Sequence, residues 1–197
     1  MRTFVAINIP AAERAALHAS LAPIRERQIP VRWTDPDALH LTLKFLGEID
    51  GSEIAALDAA LRDVAARHAQ LDMDIGGFGA FPSLRRATVL WVGIAAEPRL
   101  MALQRDTELA LSRLGYPREQ RPFRPHITIA RLHGGGRPAD VQRLAGMNDY
   151  SSRVTVTSID LMRSQLSPAG ARYDVLMRAT LGAGTGTPAA PADGEAP

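Results

Sequence analysis

One short phrase occurs twice in this chain of 197 residues, and it constrains the fold more than any other feature. "HLTL" begins at His40 and "HITI" begins at His126, 86 positions (126 minus 40) further on. The alternation of polar and apolar residues in each copy is typical of a half-buried β-strand. Each copy is followed by a helical pattern and then by a pair of strand-like segments. This order predicts an internal duplication, with two similar lobes related by a pseudo-twofold axis.

The predicted elements indicate an α+β fold. We expect a bilobal molecule with two antiparallel sheets related by the pseudo-twofold axis, helices on their outer faces and a central cleft. One domain is expected over residues 1–181, followed by a disordered Gly/Ala/Pro-rich tail over 182–197. Strands are predicted over 2–9, 39–46, 71–81, 87–94, 126–132, 153–166 and 172–180, and helices over 11–27, 52–68, 98–114 and 139–147.

The composition excludes several classes of site. The chain has no cysteine, which rules out disulfides, thiolate nucleophiles and Cys-based zinc sites and agrees with a reducing cytoplasm. A net charge of +2 gives no strong global field for attracting nucleic acid. No apolar run reaches the roughly 20 residues of a membrane span, and the apolar stretch at the start is too short for a signal peptide. We therefore expect a cytoplasmic monomer that does not bind membranes.

The duplicated motifs place particular side chains together. Because successive side chains in a strand point to opposite faces, His40 and Thr42 share one face, and His126 and Thr128 share the equivalent face of the second copy. The apolar residues between them are expected to face the helices. If a twofold axis relates the lobes, one cleft between them is lined by two imidazoles and two hydroxyls.

Two imidazoles and two hydroxyls around one cleft suit the displacement of an oxygen at a phosphorus centre. One imidazole can take a proton from an attacking water while the other gives a proton to the departing oxygen, each worth roughly 10²–10⁴-fold. The threonine hydroxyls can donate hydrogen bonds to the non-bridging phosphate oxygens. Two histidines with no carboxylate at ligand spacing make a poor metal site, so we expect neither a metal nor a cofactor.

Several other side chains have two possible readings. Strand alternation places Lys44 on the face of His40, at the cleft edge or in solvent. It places Arg131 on the face opposite that of His126. There Arg131 either forms a salt bridge at the rim of the cleft or is turned towards the phosphate by a β-bulge. Two further arginines, Arg121 and Arg124, either contact an RNA backbone or are solvated. Three aromatic residues either stack on an RNA base or pack in the protein interior: Trp33, Phe81 and Phe123.

Four segments carry a resemblance to a known family. "FVAINIP", "RW" followed by "HLTLKFLG", "GGFGAFP" and "RPFRPHITIARL" make residues 2–180 resemble the 2H phosphoesterases, specifically the bacterial RNA 2',3'-cyclic phosphodiesterases, also called 2'-5' RNA ligase-like proteins. The resemblance implies a bilobal fold with the two motifs facing each other across a cleft. It implies that His40 is the proton donor and His126 the proton acceptor, with Thr42, Thr128 and Arg131 on the phosphate.

The implied reaction is metal-independent hydrolysis of RNA 2',3'-cyclic phosphate ends to 2'-phosphates, and RNA with such an end is the implied partner. A ribose 5'-hydroxyl in place of water would form a 2'-5' linkage as a side reaction. The near-symmetric motifs themselves leave the roles of the two histidines open. Two other functions also remain open: a non-catalytic RNA- or nucleotide-binding module, and a phosphodiesterase for a small cyclic nucleotide.

Overall fold

The structure, a computed structural model, describes residues 1–26, 31–132, 150–167 and 170–182. The predicted helix over 139–147 and residues 183–197 of the predicted tail lie outside these ranges. Within them, the α-helices are α1 (Ala11–Ser20), α2 (Ala22–Arg25), α3 (Ile54–Arg67) and α4 (Pro98–Ser112). The strands are β1 (Arg2–Asn8), β2 (Val31–Trp33), β3 (His40–Glu48), β4 (Leu71–Phe81), β5 (Val89–Ile94), β6 (His126–Leu132), β7 (Ser151–Val156), β8 (Ser158–Ser167) and β9 (Gly170–Thr180).

These strands form one large antiparallel sheet. Its order is β7-β4-β5-β6-β3-β1-β8-β9, with β2 paired to β6. The antiparallel α+β class is therefore confirmed, whereas the two sheets expected from the sequence are joined into one. The junction is narrow, because β3 and β6 meet at the single register pair of Leu41 and Ile127. On one side of this seam lie β3, β1, β8 and β9, and on the other lie β6, β5, β4 and β7.

The two halves of the sheet do not correspond to the two halves of the sequence. The strands β4 and β5, which follow the first motif, lie beside β6 and hence beside the second motif. The strands β8 and β9, which follow the second motif, lie on the side of β1 and β3. In the folded sheet β3 has β1 on one edge and β6 on the other, so the strand pair that follows it in the chain pairs elsewhere.

The segment predicted as a single strand over 153–166 is two strands that break at Thr157. Before the break, β7 pairs with β4 at one end of the sheet. After it, β8 pairs with β1 and β9 near the other end. The chain therefore changes from one half of the sheet to the other at this residue.

The two faces of the sheet are covered differently. Leu41 and Ile127 are fully buried in the main hydrophobic core, together with leucines of α3 and α4 such as Leu61 and Leu103. A separate small cluster of Phe4, Ala6 and Met162, with Tyr173 packed against it, lies outside that core. No helix in the described part of the chain is long and apolar enough to cross a membrane.

Candidate active site

The two motif histidines lie at the seam between the halves of the sheet. Leu41 and Ile127 are directly opposite each other there, and both side chains point into the core. Since neighbouring residues of a strand point to the other face, the four polar motif side chains share the face away from the main core. The antiparallel register sets His40 across from Thr128, and Thr42 across from His126.

The same type of hydrogen bond orients both imidazoles. Nδ1 of His40 lies 2.8 Å from the carbonyl oxygen of Ala38, and Nδ1 of His126 lies 2.7 Å from that of Arg124. A carbonyl oxygen can only accept, so Nδ1 carries the proton in both rings. The neutral form of each ring therefore has its lone pair on Nε2, the atom that can exchange a proton with a substrate. Nε2 of His40 lies 3.1 Å from Oγ1 of Thr42.

Each imidazole is packed against two aromatic rings. Tyr173 meets His40 edge-on and Phe81 meets His126 edge-on, at interplanar angles of 83° and 84°. These apolar neighbours fix the ring planes and keep water from their sides. The separations between ring centroids are 4.8 Å for His40–Phe4, 5.1 Å for His40–Tyr173, 4.9 Å for His126–Phe81 and 6.2 Å for His126–Trp91.

Burial is the main cause that lowers the pKa of both imidazoles below the ordinary value of 6.5. For His40, the hydrogen bond to Ala38 opposes this shift and the charge of His126 adds to it. For His126, the hydrogen bond to Arg124 opposes the shift and the charge of Arg131 adds to it. The two rings are thus close enough for the charge on one to disfavour protonation of the other.

A β-bulge occurs at the same place in both motif strands, three residues after each histidine. In the first, Thr42 pairs with Ala6 and Lys44 pairs with the adjacent Val5, which leaves Leu43 as the extra residue. In the second, Ile129 is the extra residue. A bulge shifts the alternation by one residue. The fourth residue after each histidine therefore points into the core, and the fifth returns to the histidine face.

The prediction for Lys44 is wrong for this reason. The bulge turns its side chain away from the face of His40 and into the interior, where the residue is only 5% exposed. There Nζ donates to Oε2 of Glu108 and to the carbonyl oxygen of Pro117, each at 2.7 Å. Its counterpart in the second motif is Ala130, which is fully buried.

The fifth residues after the histidines are Phe45 and Arg131, and the bulges bring both to the histidine face. Arg131 is exposed and lies close enough to His126 to lower its pKa, so the bulge considered as one of the two readings is present. Phe45 is 67% exposed, and its ring centroid lies 6.0 Å from that of Phe4 beside His40. Simple alternation places Phe45 on the core face, so the sequence did not indicate it as a site residue.

A groove of about 1290 Å³ opens beside Thr42 and His126. The stretch 42–45 of β3 and the irregular segment 117–124 both line it. Gln104, Arg105 and Glu108 of α4 also line it. The groove therefore adjoins the motif face at Thr42 and His126.

The remaining candidates divide between the groove and the interior. The exposed Arg121 and Arg124 line the groove. Trp33 and Phe123 are partly buried against the main core, and Phe123 also borders the groove. Among the described residues, no three His, Asp or Glu side chains come together as a metal site would require.

The sequence indicated Phe81 as a candidate, but not the other three aromatic side chains beside the imidazoles, which are Phe4, Trp91 and Tyr173. Phe4 lies in a segment quoted only for the family resemblance, and Trp91 follows an ordinary apolar run. Tyr173 reaches His40 from β9, although the two residues are 133 positions apart in the chain (173 minus 40). Their only shared signal is that all are aromatic residues of strands, and that signal does not distinguish site from core.

Comparisons with known proteins identify the family of this chain. The sequence profile of the 2'-5' RNA ligase superfamily matches residues 8–168. An RNA 2',3'-cyclic phosphodiesterase of Methanothermobacter thermautotrophicus is 27% identical over 175 residues, which is 88% of this chain and 95% of that relative. The protein of the same name from Aeropyrum pernix is 33% identical over 151 residues, which is 75% of this chain and 85% of that relative.

Solved structures are similar over nearly the whole chain. A crystal structure of a Thermus thermophilus protein has a TM-score of 0.80 at 29% identity and covers 93% of this chain and 99% of its own. E. coli LigT complexed with 3'-AMP has a TM-score of 0.74 at 27% identity, with coverage of 91% and 97%. Together with the profile match, these similarities show that the chain belongs to the 2'-5' RNA ligase superfamily.

Proposed function

We propose that this protein hydrolyses RNA 2',3'-cyclic phosphate ends to 2'-phosphates, without a metal ion. The observation that carries the proposal is the shared face at the seam, where two imidazoles held through Nδ1, with Nε2 left for proton exchange, alternate with two threonine hydroxyls. The names of the relatives support the substrate, since they are RNA 2',3'-cyclic phosphodiesterases. The proposal includes a cleft between the halves of the sheet and a single cytoplasmic, monomeric domain over residues 1–181.

In the proposed mechanism, His126 is the proton acceptor and His40 the proton donor. Nε2 of His126 removes a proton from water as its oxygen bonds to phosphorus. The bond from phosphorus to O3' breaks, and O3' takes the proton from Nε2 of His40, which leaves a 2'-phosphate and a 3'-hydroxyl. The charge of Arg131 supports this assignment, because it disfavours protonation of His126 and so keeps that ring ready as a base.

The other polar groups on this face are assigned to the phosphate. Thr42 and Thr128 lie across from the two imidazoles and can donate hydrogen bonds to the non-bridging oxygens. Arg131 supplies a positive charge to the same anion, since it is exposed on the histidine face. Phe45 is an exposed ring beside the Phe4–His40 contact, which suits stacking on the base of the terminal nucleoside.

The direct test is incubation with an RNA that ends in a 2',3'-cyclic phosphate, in the presence of EDTA. We expect complete conversion to the 2'-phosphate, identified by chromatography against RNAs with authentic 2'- and 3'-phosphate ends. A 3'-phosphate product would contradict the proposed breakage of the bond to O3'. Tight binding without hydrolysis between pH 5 and 8 would instead favour a non-catalytic module, and hydrolysis of small cyclic nucleotides alone would favour the narrower phosphodiesterase. A second RNA with a 5'-hydroxyl tests the proposed formation of a 2'-5' linkage.

The pH dependence of kcat/KM follows from the two lowered pKa values. The base acts only when it is neutral and the acid only when it is protonated, so the active form carries one proton on the histidine pair. The rate therefore rises with pH through the lower pKa of the pair and falls through the higher one. Because both imidazoles have a pKa below 6.5, we expect a bell-shaped profile with its maximum below pH 6.5.

This profile can be measured with a cyclic mononucleotide in EDTA. The variant Arg131→Gln removes the positive charge beside His126, so its maximum is expected at higher pH than that of the wild type. A wild-type maximum above pH 7 would contradict the assigned pair of groups.

A further inference from the structure

We infer that the groove beside Thr42 and His126 binds the phosphodiester backbone of the RNA that precedes the cyclic end. Arg118 and Arg121 are the side chains assigned to this contact. The inference rests on the proposed function and deepens it, because it makes a polynucleotide rather than a mononucleotide the preferred substrate.

The size and position of the groove point to a chain-like ligand. Thr42 and His126 line it, so a terminal nucleotide held at the motif face has the rest of its strand at the groove entrance. Its volume of about 1290 Å³ exceeds the range of about 300–1,000 Å³ that is usual for small-molecule pockets. A single nucleotide at the motif face would leave most of this space to water.

The charge of the groove wall suits phosphate groups. Arg118, Arg121 and Arg124 are all exposed, and none of them forms an ion pair with a carboxylate of residues 1–26, 31–132, 150–167 or 170–182. Two carboxylates also line the groove: that of Glu108 is paired with Lys44, and that of Glu119 accepts from the backbone N–H of Arg121. The chain as a whole has a net charge of only +2, so these three guanidinium groups are a local concentration of positive charge.

The segment 117–124 has neither helix nor strand, yet its backbone is held at several points. The carbonyl oxygen of Pro117 accepts from Lys44, and the N–H of Glu119 donates to Oε2 of Glu108 at 3.2 Å. At the other end, the carbonyl oxygen of Arg124 accepts from His126. The arginines between these anchors start from a fixed backbone, which reduces the entropy that is lost when a strand binds.

Arginine combined with aromatic rings is typical of proteins that bind single-stranded nucleic acid without reading its sequence. The planar guanidinium groups of Arg118 and Arg121 match two phosphate oxygens, and Phe45 and Phe123 border the same groove. Contacts to phosphate carry no base information. The groove should therefore favour longer strands over shorter ones, with little preference among sequences.

The test compares two substrates with the same terminal nucleoside, a 2',3'-cyclic mononucleotide and an octanucleotide with that cyclic end. We expect a higher kcat/KM for the octanucleotide in the wild type. The double variant Arg118→Ala/Arg121→Ala should reduce the ratio of the two values roughly tenfold at low salt. It should also reduce the slope of log(kcat/KM) against log[salt] for the octanucleotide by roughly 0.7 per arginine. Arg124 is left intact because its carbonyl holds His126.

Arg99→Ala is the matched control, because Arg99 is an exposed arginine of α4 that does not line the groove. It should leave both kcat/KM values and the salt slope as in the wild type. Equal kcat/KM for the two substrates in the wild type would overturn the inference while the proposed function stands. An equal loss of kcat/KM on both substrates in the double variant Arg118→Ala/Arg121→Ala would also overturn the inference.

Binding separates the groove from the chemistry. The affinity of the octanucleotide with a linear 2'-phosphate end can be measured for the wild type and the double variant without any turnover. Weaker binding by the double variant supports the groove even if neither substrate is hydrolysed, an outcome that would refute the proposed function alone. Equal binding by the two proteins overturns the groove assignment.

Discussion

Replacing His40 or His126 with Asn is expected to lower kcat/KM for a nucleoside 2',3'-cyclic phosphate by roughly 10²–10⁴-fold. Asparagine can still donate a hydrogen bond to the carbonyl oxygen of Ala38 or Arg124, but it cannot exchange a proton at neutral pH. The double variant His40→Asn/His126→Asn should have a kcat/KM only slightly lower than that of either single variant. The acid and the base act in one step, so each contributes little without the other. Initial rates in EDTA measure the effect.

The fold of these variants needs a control, because both histidines pack against aromatic rings. His68→Asn is a suitable one, since His68 is also partly buried and hydrogen-bonded, to Asp106 at 3.0 Å. It should change the thermal midpoint as much as the active-site variants do and still hydrolyse the substrate. Wild-type rates in either His40→Asn or His126→Asn would refute the two-histidine mechanism.

Lys44→Met is expected to cause the largest loss of stability among single substitutions near the site. The side chains of Lys44 and Glu108 are only 3% and 7% exposed, so the variant leaves a buried carboxylate with no cation beside it. Breaking such a pair typically costs about 3–5 kcal/mol. Urea unfolding should show this loss as a lower midpoint with a similar slope.

The double variant Lys44→Met/Glu108→Leu separates stability from positioning. Replacing both ions by apolar side chains removes the unpaired charge, so much of the unfolding free energy should return. The hydrogen bonds to the carbonyl of Pro117 and the N–H of Glu119 do not return, so the segment before His126 loses two anchors. We therefore expect restored stability with kcat/KM still reduced.

Two outcomes would contradict this account. One is an unfolding free energy for Lys44→Met close to that of the wild type, and the other is full activity in the double variant. Arg62→Ala provides the comparison, because it breaks the exposed ion pair with Asp58 on α3. Surface pairs contribute little, so this variant should unfold almost as the wild type does.

The two-residue period of a β-strand was sufficient to predict which way the first three side chains of each motif point. It predicted that His40 and Thr42 share a face, as do His126 and Thr128, and the structure has all four on one face. It failed from the fourth residue onwards because each strand has one extra residue there. Nothing in "HLTLKF" or "HITIAR" marks a bulge, since neither contains glycine or proline.

The pairing of strands that are distant in the chain also could not be predicted from the sequence. The sequence indicated most of the strands, but not that β8 would pair with β1 or that the chain would change sides at Thr157. Local propensity carries no information about which distant strand becomes the neighbour. The edges already occupied in the folded sheet decide that, and they are known only when the whole topology is known.

The order of the strands has a consequence for how the protein is made. The half of the sheet that holds His40 begins with β1 and is completed only by β8 and β9, which are the last strands among the described residues to leave the ribosome. Until then, one edge of β1 has no partner, and the ring of Tyr173 is not yet beside the imidazole. The first histidine is thus synthesised early, but the ring of Tyr173 reaches it only after β9 has been made, so a nascent chain that stops before β9 has both histidines and lacks one of the two aromatic contacts of His40.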